Sequence, residues 1–165
     1  MKAARVLAGV LFFVFSATGT RAEGGGDALF SATMTDIRGE PMPLSLFRGK
    51  PLIVNFWARA CVPCRDEIPD LIALQAKYKK RGLAVLGIAL EENPDKVREF
   101  LIAYKINYPI ALACEQGIPM MNAFGNNESL LPFTLLIDRK GEVVSHKYGV
   151  FRKNDFQEAV EKLIR

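Results

Sequence analysis

Hydrophobic residues along the chain fall into continuous runs, typical of buried strands, and spaced runs, typical of helices. Continuous apolar runs rich in β-forming residues occupy Pro51–Ala58 and Leu83–Leu90, and each predicts a strand that is buried on both faces. Apolar residues between these two runs recur at helical spacing and predict a helix that ends at Gly82. Its apolar positions are Ile68, Leu71, Ile72 and Tyr78.

The second half of the chain continues the alternation. Asn93 is predicted to cap a helix that begins with Pro94, and residues 108–113 (YPIALA) predict a short strand. Phe133–Asp138 and Glu142–Gly149 flank the turn residues RKG and predict a hairpin. The apolar positions of the helix that starts at Pro94 are Val97, Phe100, Leu101 and Tyr104, and those of a closing helix are Phe156, Val160 and Leu163. A β-α-β unit followed by a hairpin and a helix predicts an α/β domain with a central mixed β-sheet flanked by helices.

The first 22 residues have the layout of an export signal. A basic start is followed by an apolar run from Val6 and then by small residues, with Thr20 and Ala22 at the spacing of a cleavage site. The apolar run is shorter than the roughly 20 residues of a typical spanning helix, although an uncleaved N-terminal membrane anchor is the alternative. Under either interpretation the domain lies beyond the cytoplasmic membrane, and the expected location is the periplasm.

Glycine and turn residues then set the domain boundary. EGGGD, at residues 23–27, predicts a flexible joint, and a single domain is expected over residues 28–165. Gly39 and Glu40 form a predicted turn between two short strands, which would make an N-terminal β-hairpin extension of the domain.

Composition and charge restrict the class of protein. Half of the 165 residues are hydrophobic and 24% are charged, as in a packed globular domain. The formal charge is +4, but residues 1–22 hold three basic residues, and the remainder has 19 basic against 18 acidic residues. Because no basic stripe is left, the sequence does not favour nucleic-acid binding.

The segment WARACVPCR carries the candidate chemistry. Cys61 comes where the first buried strand ends and a helix begins, and Pro63 suits the first helical turn. Unpaired backbone N–H groups and the helix dipole favour a thiolate at this position, and Arg59 and Arg65 add positive charge on each side. Cys64 follows at i+3 on the same helix face, close enough for a disulfide. The pattern favours a reversible redox dithiol.

Other uses of these cysteines remain open at this stage. A zinc site needs four ligands, whereas the chain has no second CxxC and only one histidine, His146, which is interpreted as a solvated strand residue. A structural disulfide would close too short a loop to restrict the unfolded chain much. A peroxidase would need Thr or Ser where Ala58 stands. Cys114 is interpreted as a small buried apolar residue, with a regulatory or intermolecular disulfide as the alternative.

At VNFWARACVPCRDEIP the chain resembles the thioredoxin superfamily, and in particular the exported TlpA/ResA/CcmG-like thiol–disulfide oxidoreductases. The resemblance extends over about residues 28–164 and includes GKPLIVNFWA and LPFTLLIDRKGEVV. It implies a thioredoxin fold in which the Cys61 thiolate attacks a client disulfide and Cys64 resolves the mixed disulfide. It also implies client binding at Trp57, Leu131 and Pro132, with a cis Leu131–Pro132 bond facing Cys61.

Two residues depart from the family pattern. Ala60 stands where most relatives have a tryptophan, and Asn55 stands where cytoplasmic thioredoxins have a buried aspartate. Because an amide cannot accept the proton there, Glu67, one turn beyond Cys64, is the candidate acid/base, with its pKa raised by desolvation. A solvated helix charge like that of Asp66 is the alternative interpretation of Glu67.

The resemblance also implies the direction of electron transfer and the partner proteins. It points to a monomeric reductant without cofactor or metal, recharged by a membrane thiol donor of the DsbD/CcdA type. The implied clients are exported proteins with disulfides, of the kind found in cytochrome c maturation or copper-site assembly. A net oxidant or isomerase, or a module that binds thiol clients or copper without turnover, are the alternatives.

Overall fold

A seven-stranded mixed sheet forms the centre of the structure, a computed structural model that describes residues 25–165. Its strand order is β2-β1-β5-β4-β3-β6-β7. The strands are β1 (Thr33–Asp36), β2 (Pro41–Pro43), β3 (Leu52–Trp57), β4 (Ala84–Ala89), β5 (Ile110–Leu112), β6 (Phe133–Ile137) and β7 (Val143–Tyr148). The predicted mixed sheet is therefore confirmed, as are the hairpin of β6 and β7 and the N-terminal hairpin of β1 and β2.

Helices cover both faces of this sheet. They are α1 (Asp27–Phe30), α2 (Val62–Tyr78), α3 (Pro94–Tyr104), α4 (Gly117–Ala123) and α5 (Lys153–Leu163), with short 3-10 helices at Leu44–Phe47, Lys79–Arg81 and Cys114–Gln116. Helices α2, α3 and α5 pack on one face with the odd-numbered residues of β3, and α1 and α4 pack on the other with the even-numbered ones. The sequence analysis predicted α2, α3 and α5 but neither α1 nor α4.

The central strands are buried because both faces are covered. Every residue of β3 is buried, and β3 pairs with β4 in parallel and with β6 in antiparallel orientation. Strand β5 also runs parallel to β4. The carboxyl ends of β3, β4 and β5 consequently lie at one edge of the sheet, which we call the carboxyl edge.

Local signals at the helix ends act as predicted. The Asn93 side chain accepts hydrogen bonds from the N–H groups of Asp95 and Lys96, which caps α3. Gly82 ends the segment after α2 with φ 91°, a left-handed conformation that favours glycine.

The N-terminal boundary differs from the prediction. The Gly26 N–H donates to the carbonyl of Gly141 at 2.6 Å, and Gly25 forms a β-bridge with Glu142. A Cβ atom at Gly26 would lie 2.8 Å from that carbonyl oxygen, so the close approach requires glycine. The end of the predicted joint thus contacts the domain, which begins by residue 25 rather than 28.

The predicted export signal or anchor, residues 1–22, lies outside the described residues. Within residues 25–165, no helix is long and apolar enough to cross a membrane.

A substitution at Gly87 can test the packing near the carboxyl edge. A Cβ atom there would meet Ile110 Cδ1 and would lie 3.0 Å from Trp57 Nε1. We expect Gly87→Ala to lower the free energy of unfolding by about 1–3 kcal/mol because of this overpacking. Urea unfolding measures the effect, and Ile110→Val, which removes the Cδ1 methyl, should rescue part of it in the double variant. An alanine that stabilised the protein, as it does in a strand with open space, would contradict the packing.

Candidate active site

The two cysteines of CVPC lie at the carboxyl edge, at the junction of β3 and α2. Cys61 is the N-cap residue of α2, and its Sγ accepts a hydrogen bond from the N–H of Cys64 at 3.2 Å. The two residues form a disulfide with a Cα–Cα distance of 5.3 Å. Cys61 is half-buried, whereas Cys64 is fully buried. An approaching protein can therefore reach the sulfur of Cys61 but not that of Cys64.

The two arginines noted in the sequence lie on either side of Cys61, Arg59 in the loop before it and Arg65 on α2. The Arg65 guanidinium donates to the carbonyl of Arg59 at 2.6 and 3.1 Å. The Arg59 guanidinium pairs with Glu91 at 3.1 Å. Both arginines thus lie beside the dithiol as predicted, but the charge of Arg59 is already paired. Ala60, between Arg59 and Cys61, is exposed.

Glu67 is a fully buried carboxyl group one turn beyond Cys64. Its Oε1 accepts a hydrogen bond from Asn55 Nδ2 at 2.6 Å, and its Oε2 accepts one from the backbone N–H of Phe151 at 2.7 Å. The first donor comes from β3 and the second from the loop between β7 and α5. Glu67 therefore links three elements beneath the disulfide.

Burial raises the pKa of Glu67 from 4.5 to about 7, and the hydrogen bonds from Phe151 and Asn55 reduce the shift. Burial also raises the pKa of Tyr108, with a further contribution from the Glu67 carboxylate. Glu67 consequently has a proton affinity suited to acid/base chemistry at neutral pH. The sequence-based expectation of a pKa raised by desolvation agrees with this environment.

Asn55 donates hydrogen bonds within the site, a role that the sequence analysis did not assign to it. Its Nδ2 donates to Thr134 Oγ1 at 3.1 Å as well as to Glu67, and the residue is buried. A polar side chain inside the run PLIVNFWA was the available signal, because a buried amide requires partners. The contribution of Phe151 is a backbone N–H, which carries no side-chain signal in the sequence.

The Leu131–Pro132 bond is cis, as the resemblance implied. Leu131 is half-buried and packs against both core clusters, one of which contains Cys61 and Cys64. The buried Asn126 side chain donates to the carbonyl of Leu130 at 2.8 Å and accepts from its N–H at 3.0 Å. Asn126 thus orders the segment that leads to the cis bond, a role that sequence reasoning missed.

Trp57 lies in the core and not at the surface where a client would bind. Its side chain is 1% exposed and stacks on Phe100, with ring centroids 5.0 Å apart. It is the last residue of β3, and odd-numbered positions of this strand face α2 and α3. The structure therefore places Cys61, Cys64 and Glu67 together at the start of α2 and packs Leu131 against the same core cluster as Cys61, whereas Trp57 lies in the core as a packing residue.

The prediction that Cys114 is buried is wrong. Cys114 is exposed and free, and its Sγ lies 3.7 Å from the carbonyl oxygen of Glu91. It follows β5 with a φ of 45°, so the chain turns away from the sheet there. His146 is exposed on β7, which agrees with its interpretation as a solvated strand residue.

Comparisons with known proteins agree with this site. The Redoxin family model matches residues 25–163. Thiol-disulfide oxidoreductase ResA of Geobacillus kaustophilus is 33% identical over 130 residues, which cover 79% of this chain and 72% of the relative. ResA of Bacillus thuringiensis subsp. konkukian is 30% identical over 130 residues, with 79% and 73% covered.

Solved structures show the same relationship. A thiol:disulfide interchange protein of the thioredoxin family from Chlorobium tepidum superposes with a TM-score of 0.72 at 30% identity, covering 81% of this chain and 93% of that one. A secreted disulfide oxidoreductase from Mycobacterium tuberculosis, at 19% identity and a TM-score of 0.70, covers 83% and 98% and shares the fold. With the disulfide between Cys61 and Cys64, these matches show that the chain belongs to the Redoxin family and is a thioredoxin-fold, ResA-like thiol–disulfide oxidoreductase.

Proposed function

We propose that the protein reduces disulfides in exported client proteins through the Cys61–Cys64 dithiol. The observation that carries the proposal is the difference in access between the two sulfurs above one buried carboxyl group. Cys61 is half-buried at the start of α2, Cys64 is fully buried, and Glu67 lies one turn below. Such a dithiol attacks with one sulfur and resolves with the other.

The reaction transfers two electrons from the dithiol to the client. In the reduced protein the Cys61 thiolate attacks one sulfur of a client disulfide, and the other client sulfur leaves as a thiolate. Cys64, once deprotonated, attacks Cys61 Sγ, breaks the mixed disulfide and releases the second client thiolate. The client gains two thiols, and the protein is left with the Cys61–Cys64 disulfide seen in the structure.

Glu67 is proposed as the acceptor of the Cys64 proton. Its position at i+3 from Cys64 on α2 places both groups on one helix face. With a pKa of about 7, the carboxyl group is partly ionised at neutral pH and can accept the proton during resolution. The two N–H donors hold both of its oxygens in place and so fix the carboxyl orientation.

The client is proposed to bind beside the cis bond. Leu131 is half-buried and packs against the same core cluster as Cys61, and we expect its main-chain groups to pair with an extended client segment in β fashion. Pro132 has no N–H, and its carbonyl already accepts from the N–H of Gly149 at 2.8 Å. Client contact would therefore centre on Leu131.

The proposed setting is the periplasm, and residues 1–22 support it because they resemble an export signal or an anchor. In that oxidising compartment a reductant needs a continuing source of electrons, which a membrane thiol donor of the DsbD/CcdA type would supply. We propose a monomer that acts on clients of cytochrome c maturation or copper-site assembly.

The reduction potential of the Cys61–Cys64 couple tests the direction. Equilibration with glutathione at pH 7 should give a value closer to that of thioredoxin, about −270 mV, than to that of the oxidant DsbA, about −120 mV. A value near −120 mV would make the protein an oxidant. An absence of turnover in dithiol-dependent insulin reduction would make it a binding module.

Single cysteine replacements test the division of labour. Cys64→Ser should accumulate covalent mixed disulfides with clients because the resolving thiol is missing, and Cys61→Ser should form none and lose reductase activity. Non-reducing electrophoresis followed by mass spectrometry identifies the linked cysteine. Mixed disulfides on Cys61→Ser instead of Cys64→Ser would reverse the roles.

A further prediction concerns the pH dependence that Glu67 confers on the free energy of unfolding. A carboxyl group whose folded-state pKa lies above its unfolded value destabilises the folded state as pH rises between the two values. With 4.5 and about 7 as these values, the oxidised protein should lose about 3 kcal/mol of unfolding free energy between pH 4.5 and 7 through this group. Urea unfolding at pH 5 and pH 8 should show this loss in the wild type but not in Glu67→Gln.

Asp66→Asn is the matched control, since Asp66 is exposed and precedes Glu67 on the same helix. It should keep the pH dependence of the wild type. Glu67→Gln should also slow thiol exchange and remove an ionisation near pH 7 from the rate profile of Cys64. An unchanged stability difference and rate profile in Glu67→Gln would leave Glu67 without the proposed role.

A further inference from the structure

The carboxylate of Glu91 contacts the loop that precedes the dithiol. Its Oε1 accepts a hydrogen bond from the backbone N–H of Arg59 at 2.7 Å, and its Oε2 lies 3.1 Å from the Arg59 guanidinium. The Glu91 side chain is 14% exposed and that of Arg59 is 35% exposed. One carboxylate thus binds both the main chain and the side chain of a residue two positions before Cys61.

The parallel pairing of β3 and β4 brings Glu91 to this place. Trp57 lies opposite Ala89 in the register, and the Leu90 N–H donates to the Trp57 carbonyl at 2.9 Å. This bond extends the pairing one residue beyond β4. The chain that leaves β4 at the carboxyl edge therefore passes directly beside the loop that leaves β3.

The contact with Glu91 affects the charge of Arg59 as well as the position of the loop. Two residues span at most about 7 Å of chain, so the Cα atoms of Arg59 and Cys61 lie within about one Debye length, and we expect the Arg59 charge to influence a thiolate at Cys61. The Arg59 Nε atom is buried and has no hydrogen-bond partner within the described residues. Among the described residues, Glu91 is the carboxylate that pairs with the Arg59 guanidinium, so its removal would leave this partly buried cation without its ion pair.

Three further charged residues that are close to Cys61 in the sequence lie on α2. Arg65 donates to the Arg59 carbonyl, Asp66 is exposed, and Glu67 is buried beneath the disulfide. None of these contacts provides an anion for Arg59, whereas Glu91 does.

We propose that Glu91 is a positioning residue that holds the loop before Cys61 and cancels the charge of Arg59, which keeps the Cys61 thiolate from being over-stabilised and the dithiol reducing. Over-stabilising the thiolate would stabilise the reduced protein and make the couple more oxidising, as in DsbA. This inference rests on the proposed reductant function, because only a reductant requires a reduced form that is not too stable.

Charge-neutral replacements test the inference through the acidity of Cys61. Glu91→Gln, whose amide oxygen can still accept from the Arg59 N–H, should lower the pKa of the Cys61 thiol by about 0.5 by leaving Arg59 unpaired. Arg59→Gln should raise this pKa by about as much, since Glu91 then lacks its cation. The double variant should return to within about 0.2 of the wild type. The pH dependence of iodoacetamide alkylation measures the pKa, in a Cys114→Ser background because Cys114 is an exposed thiol.

The reduction potential provides a second readout. At a pH above the thiol pKa, a decrease of about 0.5 stabilises the reduced form of Glu91→Gln about threefold, which corresponds to a rise of about 14 mV. Glu115→Gln removes the same charge from an exposed carboxylate after β5 and should leave both quantities within error of the wild type.

The inference would be overturned if Glu91→Gln matched Glu115→Gln in both quantities, or if it raised the Cys61 pKa. A loss of thermal stability with an unchanged pKa would also overturn it, since it would leave Glu91 only as a structural clamp. Should Glu91→Gln fail to fold, Arg59→Gln decides, because an unshifted pKa there contradicts the charge pairing. The wild-type potential tests the proposed function separately, so the two can fail independently.

Discussion

The buried carboxyl group of Glu67 is the constraint on which the site depends. An ionised carboxylate without water is costly unless donors surround it, and here both oxygens have one, from Asn55 of β3 and from the backbone of Phe151. These bonds connect α2 to the sheet and to the loop before α5. The Cys61–Cys64 pair and its proposed proton acceptor therefore belong to one rigid unit, and the polar interior is part of the packing.

Packing on the same sheet face explains why this unit can exist. Gly87 lies opposite Asn55 in the register, and the space that its missing side chain leaves is filled by Ile110, Trp57 and Tyr108. The apolar groups close off water on the side of Asn55 away from Thr134. Burial is the largest influence on the pKa of Glu67, and Tyr108 lies near enough to interact with its carboxylate.

Much of this arrangement could be predicted from the sequence because its signals are local. Continuous apolar runs located β3 and β4, and the position of Cys61 between a strand and a helix located its N-cap role. Helix α4 escaped prediction because GIPMMNA is short and opens with glycine and proline. Cys114 follows apolar residues that indicate burial, but a left-handed turn exposes it. The contacts of Phe151 and Glu91 join residues 84 and 32 positions apart, and no local pattern reports them.

The two glutamates illustrate why location decides what a carboxylate does at a dithiol. Glu67 has two N–H donors, but burial outweighs them and the nearby charges of Arg152 and Lys147, so its proton affinity rises into the neutral range. Glu91 has a guanidinium within ion-pair distance at the edge of the same sheet, so it serves to balance a charge. The proposed reductant would need both conditions, since the buried sulfur of Cys64 must lose a proton readily while the half-buried sulfur of Cys61 must not hold its negative charge too well. Strands β3 and β4 meet these needs separately, with Asn55 inside the sheet and Glu91 just beyond its edge.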